Sequence, residues 1–394
     1  MKPQHTTTRS PALVASALLM ALMVAVLGWD LPSAAAPGRQ APAKPIVKTR
    51  RIAPGLTYTK IVRRSIPLRT HVLRIDLTKT LTLDTTIADA ALPSRRPLSG
   101  IVAAHDALAG VNGDPGEGLG NTVHPFAQDG ELLHTAGPGP NLFAVSRDES
   151  RTFFGVVDVS VTLTDQGTGV DYELDRWNRG GPAPGELVGY SPLGGTLEPP
   201  PEFACSARLM PQGPPRAAPN DGVNRDFVVD TVGCSASPLA LRGGIVIAAA
   251  PATDEATQLL TLAPGTSMRL HWTLGWPNVF DAVGGVPMLL RDGSPVTVCS
   301  SCRRNPRTAV GVTADGKILL VVVDGRSRRS AGVTLVQLRA LMRDLGAVSA
   351  LNLDGGGSSE MVVAGKVVNE PSEGHERHIT NAILVLPGAD PGEA

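Results

Sequence analysis

The sequence has few aromatic and few charged residues, and this scarcity excludes several classes of protein. Aromatic residues make up 4% and charged residues 18% of the 394 positions, against 43 glycines and 34 prolines. Because Gly and Pro interrupt helices and favour turns, this composition favours a β-rich chain with many loops over a helical bundle. Hydrophobic residues reach 42%, which is enough for one large core or two modest ones.

The chain also lacks an excess of positive charge. Lys plus Arg and Asp plus Glu number 36 each, and no run of basic residues stands out. Nucleic-acid binding needs a basic footprint on one face or along one segment. Nucleic acid is therefore not expected as a partner.

Long apolar runs are absent after the first 36 residues. Lys2 and Arg9 precede an apolar segment at 12–27, and small residues follow at 33–36, which is the pattern of a secretory signal peptide. We expect a signal peptide at 1–36, a flexible linker at 37–50, and no other membrane segment. The protein is accordingly predicted to be secreted or associated with the cell envelope.

Only four cysteines are present, and they fit an oxidising compartment. Three pairings are possible, and the spacing favours Cys205 with Cys234 and Cys299 with Cys302. Zinc at the Cys299/Cys302 pair is the weaker reading, because the other two cysteines lack a matching close spacing. Both bonds are interpreted as structural.

Alternating apolar and polar residues predict strands through most of the chain. We expect N-terminal strands at 51–97 that pack on a main domain at 98–388. Within that domain, residues 145–276 combine strands with long proline-rich connections and read as an insertion that shapes access to a substrate. The stretch 154–164 alternates well, and the tryptophans at 177, 272 and 276 are mostly expected in the core.

The clearest helix begins after Thr334. Thr334 and Gln337 have the spacing of a capping box, leucines and a methionine form one apolar face, and Gly346 ends the helix. Strand 317–323, helix 335–345 and strand 350–353 then form a β-α-β unit with parallel strands. The predicted fold is α+β: a mixed β-sheet domain with this unit near the C-terminus and the β-rich, proline-rich insertion.

Each of these two strands ends in an aspartate beside glycine. Asp324 precedes Gly325, and Asp354 precedes three glycines, two serines and Glu360. Because parallel strands have their carboxyl ends on one edge of a sheet, both aspartates are expected on the same rim. Three consecutive glycines are more than a plain hairpin turn needs, which favours a ligand loop.

The residue types at this rim suit a phosphorylated or glycosidic substrate. Arginines, hydroxyls and free amides bind anionic oxygens, and carboxylates serve proton transfer or nucleophilic attack. The pattern matches neither the P-loop nor the dinucleotide fingerprint. A serine hydrolase with Ser358 or Ser359 is disfavoured, because Glu360 stands where a nucleophile elbow after Ser358 needs glycine.

Six motifs in order resemble the phosphodiester glycosidase family. They are NPRTAVG at 305–311, VDGR at 323–326, SAGVTL at 330–335, LNLDGGGSS at 351–359, VVN at 367–369, and Arg377. The resemblance covers about 98–388 and is dense from 281 onward, and Asn112 resembles the family's early asparagine. Asp114-Pro115-Gly116 departs from the family, which usually has an aromatic pair there.

The resemblance implies an exported hydrolase that cleaves a sugar from a sugar-1-phosphodiester in an envelope glycan, a lipid-linked glycan or a nucleotide sugar. Asp354, Asp324 and Glu360 are the expected catalytic carboxylates, and a Ca2+ or Mg2+ ion on these carboxylates is left open. The expected substrate-binding residues are Asn112, Arg307, Thr308, Arg326, Asn352, Gly355, Gly356, Gly357, Ser358, Ser359, Asn369 and Arg377.

The alternative is a noncatalytic protein that binds envelope glycans. It would retain the rim without turnover, and the altered residues at 114–116 are the feature that favours it. The two hypotheses differ in whether sugar is released from a sugar-1-phosphodiester.

Overall fold

The computed structural model describes residues 44–118, 120–135, 141–194, 204–218, 222–235 and 239–388. These residues belong to one compact unit that is mostly β-strand with three short α-helices. Within them, no helix is long and apolar enough to cross a membrane. The predicted signal peptide at 1–36 lies outside the described residues.

The strands and helices divide into three groups along the chain. The first group is β1 (Ile46–Ala53), β2 (Leu56–Arg63), β3 (Leu68–Ile75), β4 (Leu81–Ile87), β5 (Arg96–Pro97), α1 (Leu98–Ala104), β6 (Ala109–Asn112), β7 (Gly116–Glu117), β8 (Asn121–Thr122), β9 (Phe126–Gln128), β10 (Glu131–His134), β11 (Asn141–Ser146) and β12 (Thr152–Val156). The second group is β13 (Ser160–Asp165), β14 (Asp171–Glu173), β15 (Arg176–Trp177), β16 (Leu187–Tyr190), β17 (Ala204–Pro211), β18 (Arg216–Ala217), β19 (Val223–Ser235), β20 (Ile245–Ala249), α2 (Asp254–Leu259) and β21 (Ser267–Thr273). The third group is β22 (Val279–Gly285), β23 (Met288–Arg291), β24 (Ser294–Pro295), β25 (Arg307–Thr313), β26 (Ile318–Val323), α3 (Leu335–Asp344), β27 (Ala347–Asn352), β28 (Met361–Val363), β29 (Lys366–Val367), β30 (His378–Ile379) and β31 (Asn381–Pro387).

The main sheet has eight strands in the order β1-β2-β3-β26-β25-β27-β23-β24. Every neighbouring pair in it is antiparallel, so the predicted mixed sheet is corrected to an antiparallel one. The N-terminal strands β1 to β3 are hydrogen-bonded into this sheet, with β3 paired to β26. Residues 46–50, expected in the linker, belong to β1, where pairing with β2 overrides a composition typical of a linker.

The crossover from β26 to β27 runs through α3. Both strands are antiparallel to β25, which lies between them, so they point in the same direction without being neighbours. The turn at 314–316 pairs β25 with β26 locally and leaves the other edge of β25 free for β27. Thr334 and Gln337 form the predicted capping box, and α3 buries Leu335, Leu338, Leu341 and Met342. The right-handedness of the crossover stays a prediction.

A second sheet, β29-β28-β6-β31-β4, brings distant parts of the chain next to β27. β6 lies between β28 and β31, so Asn112 at its end is placed beside the loop that follows β27. The core of this region consists of fully buried aliphatic side chains from both sheets, such as Leu320, Val111 and Ile383. The end of β6 and the end of β27 thus meet at one edge of the core.

The predicted insertion forms a sheet of its own, in the order β14-β13-β21-β19-β17-β20-β16-β15 with β18 paired to β19. Trp177 and Trp272 are 3% exposed in its core, and Trp276 packs against that core, as expected. The alternating stretch 154–164 is divided between β12 and β13, which belong to different sheets.

Both predicted disulfides are confirmed. Cys205 bonds Cys234 across the paired strands β17 and β19, and Cys299 bonds Cys302.

Candidate active site

The loop after β27 is held in place by its own backbone. The Asp354 N–H donates to the Gly113 carbonyl at 3.0 Å, and the Gly356 N–H donates to the Pro306 carbonyl at 3.0 Å. Gly356 has φ +66°, a left-handed conformation that glycine adopts without steric cost, and residues 356–358 form one turn of 3-10 helix. The three glycines therefore serve a tight loop that is anchored on two sides.

Asn112 connects β6 to this loop. Its Nδ2 donates to the Asp354 carbonyl at 2.9 Å, and its Oδ1 accepts from the Thr308 hydroxyl at 2.7 Å and from the Glu360 N–H at 3.1 Å. Asn112 is 1% exposed, so these three bonds are shielded from water. One side chain thereby fixes both ends of the loop that carries Asp354.

A small polar pocket of about 100 Å3 opens beside Asp354. The loop residues that line it are Asp354 and Ser358, and Arg377 approaches from the segment before β31. Burial raises the pKa of Asp354, while hydrogen bonds from Ser358 and the Gly355 N–H and the charge of Arg377 oppose this rise. The other lining residues are Arg95, Asn112, Asp114, Gly116, His378, Ile379 and Thr380.

Asp114 supplies a second carboxylate to the same pocket. It is 4% exposed, its Oδ2 accepts from the N–H groups of Val123 and His124 at 2.8 and 2.9 Å, and its Oδ1 lies 2.5 Å from His124 Nδ1. The Asn381 side chain accepts from the Asp114 N–H at 2.7 Å. The departure from the family at 114–116 therefore produces an ordered turn, which holds a carboxylate close enough to Asp354 to contribute to raising the pKa of Asp354.

Three guanidinium groups surround the glycines. A Cβ added at Gly356 would lie 3.0 Å from Arg326 Nη2, one at Gly355 would lie 3.8 Å from Arg307 Nη1, and one at Gly357 would lie 2.2 Å from Arg377 Nη2. Glycine at these positions therefore lets the arginines approach the main chain.

The three arginines differ in their partners. Arg377 forms an ion pair with Glu373, which raises the pKa of Arg377. Arg326 donates only to the neutral Asn305 side chain at 3.3 Å, and Arg307 only to the Arg303 carbonyl at 3.4 Å. Within the described parts of the chain, neither Arg326 nor Arg307 forms an ion pair, although the charge of Arg326 contributes to lowering the pKa of Glu373.

Glu360 lies beneath the loop and not in the pocket lining. It is 0% exposed, its Oε1 accepts from the Arg377 N–H at 2.7 Å, and burial raises its pKa to about 8. At neutral pH this carboxyl therefore holds its proton. Because Glu360 contacts the backbone of Arg377, it lies behind Arg377, which faces the pocket.

Asp324 follows β26 at the same edge of the main sheet, but it points away from the pocket. It is 2% exposed, its Oδ2 lies 3.3 Å from His71 Nε2, and its Oδ1 accepts from the Glu370 N–H at 3.0 Å. The expectation that both aspartates reach one rim is met by the backbone. Of the two side chains, only Asp354 lines the pocket.

Four more predicted binding residues belong to the frame of the loop; Thr308, Asn352 and Ser359 are buried, and Asn369 is half-buried. Thr308 bonds Asn112, Asn352 donates to the Val286 and Leu353 carbonyls, and Asn369 joins the Met361 N–H to the Ser359 carbonyl. Ser359 is 2% exposed. The structure places these four side chains around the loop and outside the pocket lining.

Six lining residues were not predicted from the sequence. Asp114 and Gly116 lie in a glycine-rich stretch whose residues are also ordinary turn formers, so the signal was weak. Arg95, Ile379 and Thr380 carried no signal, and the sequence offered His378 only as a histidine for the disfavoured serine hydrolase. These four residues lie in or next to β5 and β30, which tertiary pairing brings together.

No group of three or more His, Cys, Asp or Glu side chains in the described parts of the chain is arranged to hold a metal ion. The pair of carboxylates at Asp114 and Asp354 offers oxygen ligands of the kind that Ca2+ and Mg2+ prefer.

A family model described as phosphodiester glycosidase matches residues 220–386. Over 82 residues the chain is 40% identical to the SPbeta prophage-derived uncharacterized protein YomE of Bacillus subtilis, and over 67 residues it is 37% identical to the mouse N-acetylglucosamine-1-phosphodiester alpha-N-acetylglucosaminidase. These segments are 21% and 17% of this chain, and each is only 13% of the relative's length.

Two solved structures extend the likeness across most of the chain. A hypothetical protein from Synechocystis has a TM-score of 0.67 at 20% identity, over 87% of this chain and 64% of that one, which supports the fold alone. A protein of Burkholderia pseudomallei K96243 described as exported has a TM-score of 0.54 at 26% identity, over 81% of this chain and 74% of that one. The match to the family model over residues 220–386 confirms the resemblance that the motifs indicated.

Proposed function

We propose that this protein is an exported hydrolase that cleaves the bond between a sugar and the phosphate of a sugar-1-phosphodiester. The observation that carries the proposal is the position of Asp354, which lines a polar pocket on a loop that three guanidinium groups surround. A carboxylate next to positive charge is what a glycosidic bond to a phosphate requires. The match to the family model supports the same reaction class.

Asp354 acts at the anomeric carbon of the sugar. It either attacks that carbon directly or removes a proton from an attacking water, and the bond from the carbon to the phosphate oxygen breaks with its electron pair going to the phosphate. The released phosphate group is a weak base, so it needs little protonation. One ionised carboxylate in the pocket is therefore sufficient for the bond-breaking step.

Arg307 and Arg326 bind the phosphate. Both guanidinium groups lie against the glycine loop without forming an ion pair among the described residues, and planar guanidinium groups match phosphate oxygens in two-point contacts. Arg377, which is paired with Glu373 and contacts Ser358 at 3.4 Å, lies on the pocket side. The phosphate is thus held at the glycines and the sugar beside Asp354 and Asp114.

Glu360 and Asp324 position the loop and do not touch the substrate in this proposal. Glu360 fixes the backbone of Arg377, and Asp324 fixes the backbone of Glu370. A serine nucleophile is not favoured, because the Ser358 hydroxyl bonds Asp354 and Arg377 rather than a histidine. The substrate class follows from the expected export: an envelope glycan, a lipid-linked glycan or a nucleotide sugar.

The test is release of free sugar by the purified full chain from a panel of sugar-1-phosphodiesters, with and without chelator. Wild type is expected to release sugar. Asp354→Asn is expected to release it at least about a hundred times more slowly, because an essential catalytic group has been removed. Loss of activity in the chelator arm would assign a metal ion to the carboxylates. The anomeric form of the first product separates direct attack from activation of water.

A second arm tests the arginines. Arg307→Gln combined with Arg326→Gln is expected to raise KM for the phosphodiester by roughly tenfold or more, because charge-assisted bonds to phosphate are lost. Arg303→Gln, in the same segment, is the matched control and should leave KM unchanged. If folded wild-type protein binds the panel but releases no sugar from any member, the noncatalytic glycan-binding hypothesis replaces this one.

A further inference from the structure

A second, larger concave surface lies next to the active-site rim. It is a groove of about 500 Å3 on the face of β1, β2 and β3 near their ends, closed by the turn before β3 and by the loop after β26. We call it the basic groove. Its lining residues are Ile46, Lys48, Lys60, Val62, Arg63, Arg64, Pro67, Arg69, Arg328 and Arg329.

Seven of these ten residues are cationic, although the whole chain has no net charge. Glu370 is the carboxylate that pairs with them, at 2.9 Å from Arg69 and 3.8 Å from Arg329. Across the described ranges, the other five cations form no ion pair. The groove therefore concentrates positive charge that folding itself does not neutralise.

Two segments that contact the glycine loop also lead to the groove. Arg326, which lies against Gly356, is two residues from Arg328 in the groove, a backbone distance of at most about 7 Å. On the other wall, Glu370 pairs with Arg69, and Ser372 donates to the Gly356 carbonyl at 3.4 Å. The groove and the glycine loop are therefore connected through two short backbone segments, at 326–328 and 370–372.

We propose that the basic groove binds the neighbouring phosphates of a linear polymer, so that the substrate class of the active site is a sugar phosphate polymer with repeated phosphodiesters. This deepens the proposed function and rests on it for the identity of the cleaved bond. One phosphate needs two or three donors, whereas seven cations along one groove suit several anions in a row. A small nucleotide sugar would leave most of the groove unused.

The lining disfavours two other polyanions. Single-stranded nucleic acid binds on aromatic side chains that stack with bases, and the apolar residues of the groove are aliphatic or proline. An anionic membrane is flat, whereas these cations lie in a concavity. Both remain outcomes of the test below.

The first measurement uses a probe that the enzyme cannot cleave. Poly(glycerol phosphate) has repeated phosphodiesters but no sugar, so its binding to the full chain is independent of the proposed reaction. Wild type and Asp354→Asn are expected to bind it equally, with an affinity that falls as salt rises because counterions are released. Lys48→Glu combined with Arg64→Glu and Arg328→Glu should weaken binding by about a hundredfold at low salt.

A matched control carries the same change of charge elsewhere. Lys79→Glu with Arg291→Glu and Lys366→Glu reverses three exposed cations outside the groove and should change binding by less than about twofold. All three groove positions are exposed as well, so both triple variants should keep the wild-type circular dichroism spectrum and unfolding temperature. If both triple variants weaken binding equally, the effect comes from net charge alone, and the proposal that the basic groove binds the polymer is wrong.

The second measurement separates this proposal from the proposed function. On a poly(glycosyl 1-phosphate), the groove triple should raise KM and leave kcat unchanged, whereas on a monomeric sugar-1-phosphodiester it should change neither. Absence of sugar release by wild type would end the proposed function while the binding result stands or falls by itself. Tighter binding of single-stranded DNA or of phosphatidylglycerol vesicles than of poly(glycerol phosphate) would overturn the assignment of the polymer.

Discussion

The rim around Asp354 and the sheet of the insertion are held together by different forces. At the rim, buried side chains such as Asn112 and Glu360 bond the backbone of other segments. The insertion is built on a cluster of apolar side chains, and its pocket of about 180 Å3 is lined by groups such as Leu132, Trp177 and Phe227. Apolar packing is non-directional, whereas hydrogen bonds fix angles and distances. The hydrogen-bonded rim is therefore the part of the molecule that can hold reacting groups in a defined geometry.

The comparison predicts that the largest loss follows from removing one polar connector at the rim. Asn112→Ala would leave the Asp354 carbonyl and the Thr308 and Glu360 donors without their partner, at a cost of about 1–3 kcal/mol for each buried group. The loop would shift, and kcat/KM on a sugar-1-phosphodiester should fall about a hundredfold. Denaturant unfolding and steady-state kinetics on the same preparation measure both effects.

Thr308→Val is the control for this variant. It keeps the volume at 308 and removes one of the three bonds, so less than a tenfold loss is expected. If Asn112→Ala retains wild-type activity, the rim is not fixed by its buried hydrogen bonds, and the comparison fails.

The next effect concerns pH and Glu360. Its pKa is about 8 in the folded protein and 4.5 as the ordinary value, so between these two values the unfolded chain loses the proton first. Ionisation then favours unfolding: the contribution of this group to stability is complete below pH 4.5 and is lost as pH rises through about 8. Glu360→Gln cannot ionise, so it should flatten the decline of the unfolding free energy over this window, as chemical denaturation at several pH values would show.

Glu373→Gln provides the control of opposite sign. The hydrogen bond and charge of Arg377 lower the pKa of Glu373, so its contribution is present above the ordinary value and is lost as pH falls. Buried acids elsewhere, including Glu149 with a pKa of about 7, contribute equally in every variant to the slope of the unfolding free energy against pH. A slope in Glu360→Gln that equals that of wild type would contradict the burial of this carboxyl.

The smallest effect on activity is expected in the insertion. Cys205→Ala with Cys234→Ala opens a loop with a sequence separation of 29, which should lower the unfolding free energy by about 3.6 kcal/mol in the chain-entropy model. Apolar packing separates this disulfide from the rim, so a change at the disulfide should act independently of the active site. We therefore expect kcat/KM to stay within about twofold of wild type. Thermal unfolding and kinetics at a temperature well below the transition test both parts.

The other disulfide is expected to show the opposite balance of effects on stability and on activity. Cys299 and Cys302 are three residues apart and lie just before Arg307, so Cys299→Ala with Cys302→Ala should cost less stability but raise KM for the phosphodiester more. Equal activity losses in the two double variants would show that the insertion also positions the rim.

Local patterns were sufficient to predict much of the C-terminal third. The capping box at Thr334 and the glycine loop after Asp354 depend on residues within a few positions of one another, and the structure has both. The disulfide pairs followed from cysteine number and spacing. These features are decided by short-range sterics and hydrogen bonding, which a sequence carries directly.

Features that depend on distant parts of the chain were misjudged. Residues 46–50 read as linker but form a strand because β2 offers a partner, and the alternating stretch 154–164 is divided between strands of two sheets. Asp324 and Asp354 have the same local sequence pattern, yet His71 and Glu370 hold the first away from the pocket. Asp114 is held at the pocket by contacts with Asn381 and His124. Asn381 lies far from Asp114 in the sequence, and His124 carried no signal.

The sequence by itself thus determined the elements, the family resemblance and the loop on which Asp354 lies, because each depends on neighbours along the chain. The tertiary structure alone decided which polar side chains face the pocket, which ones are buried as its frame, and that seven cations from three segments meet in one groove. The physical reason is that the direction of a side chain is set by the groups it meets in space, and those groups come from strands paired across hundreds of residues.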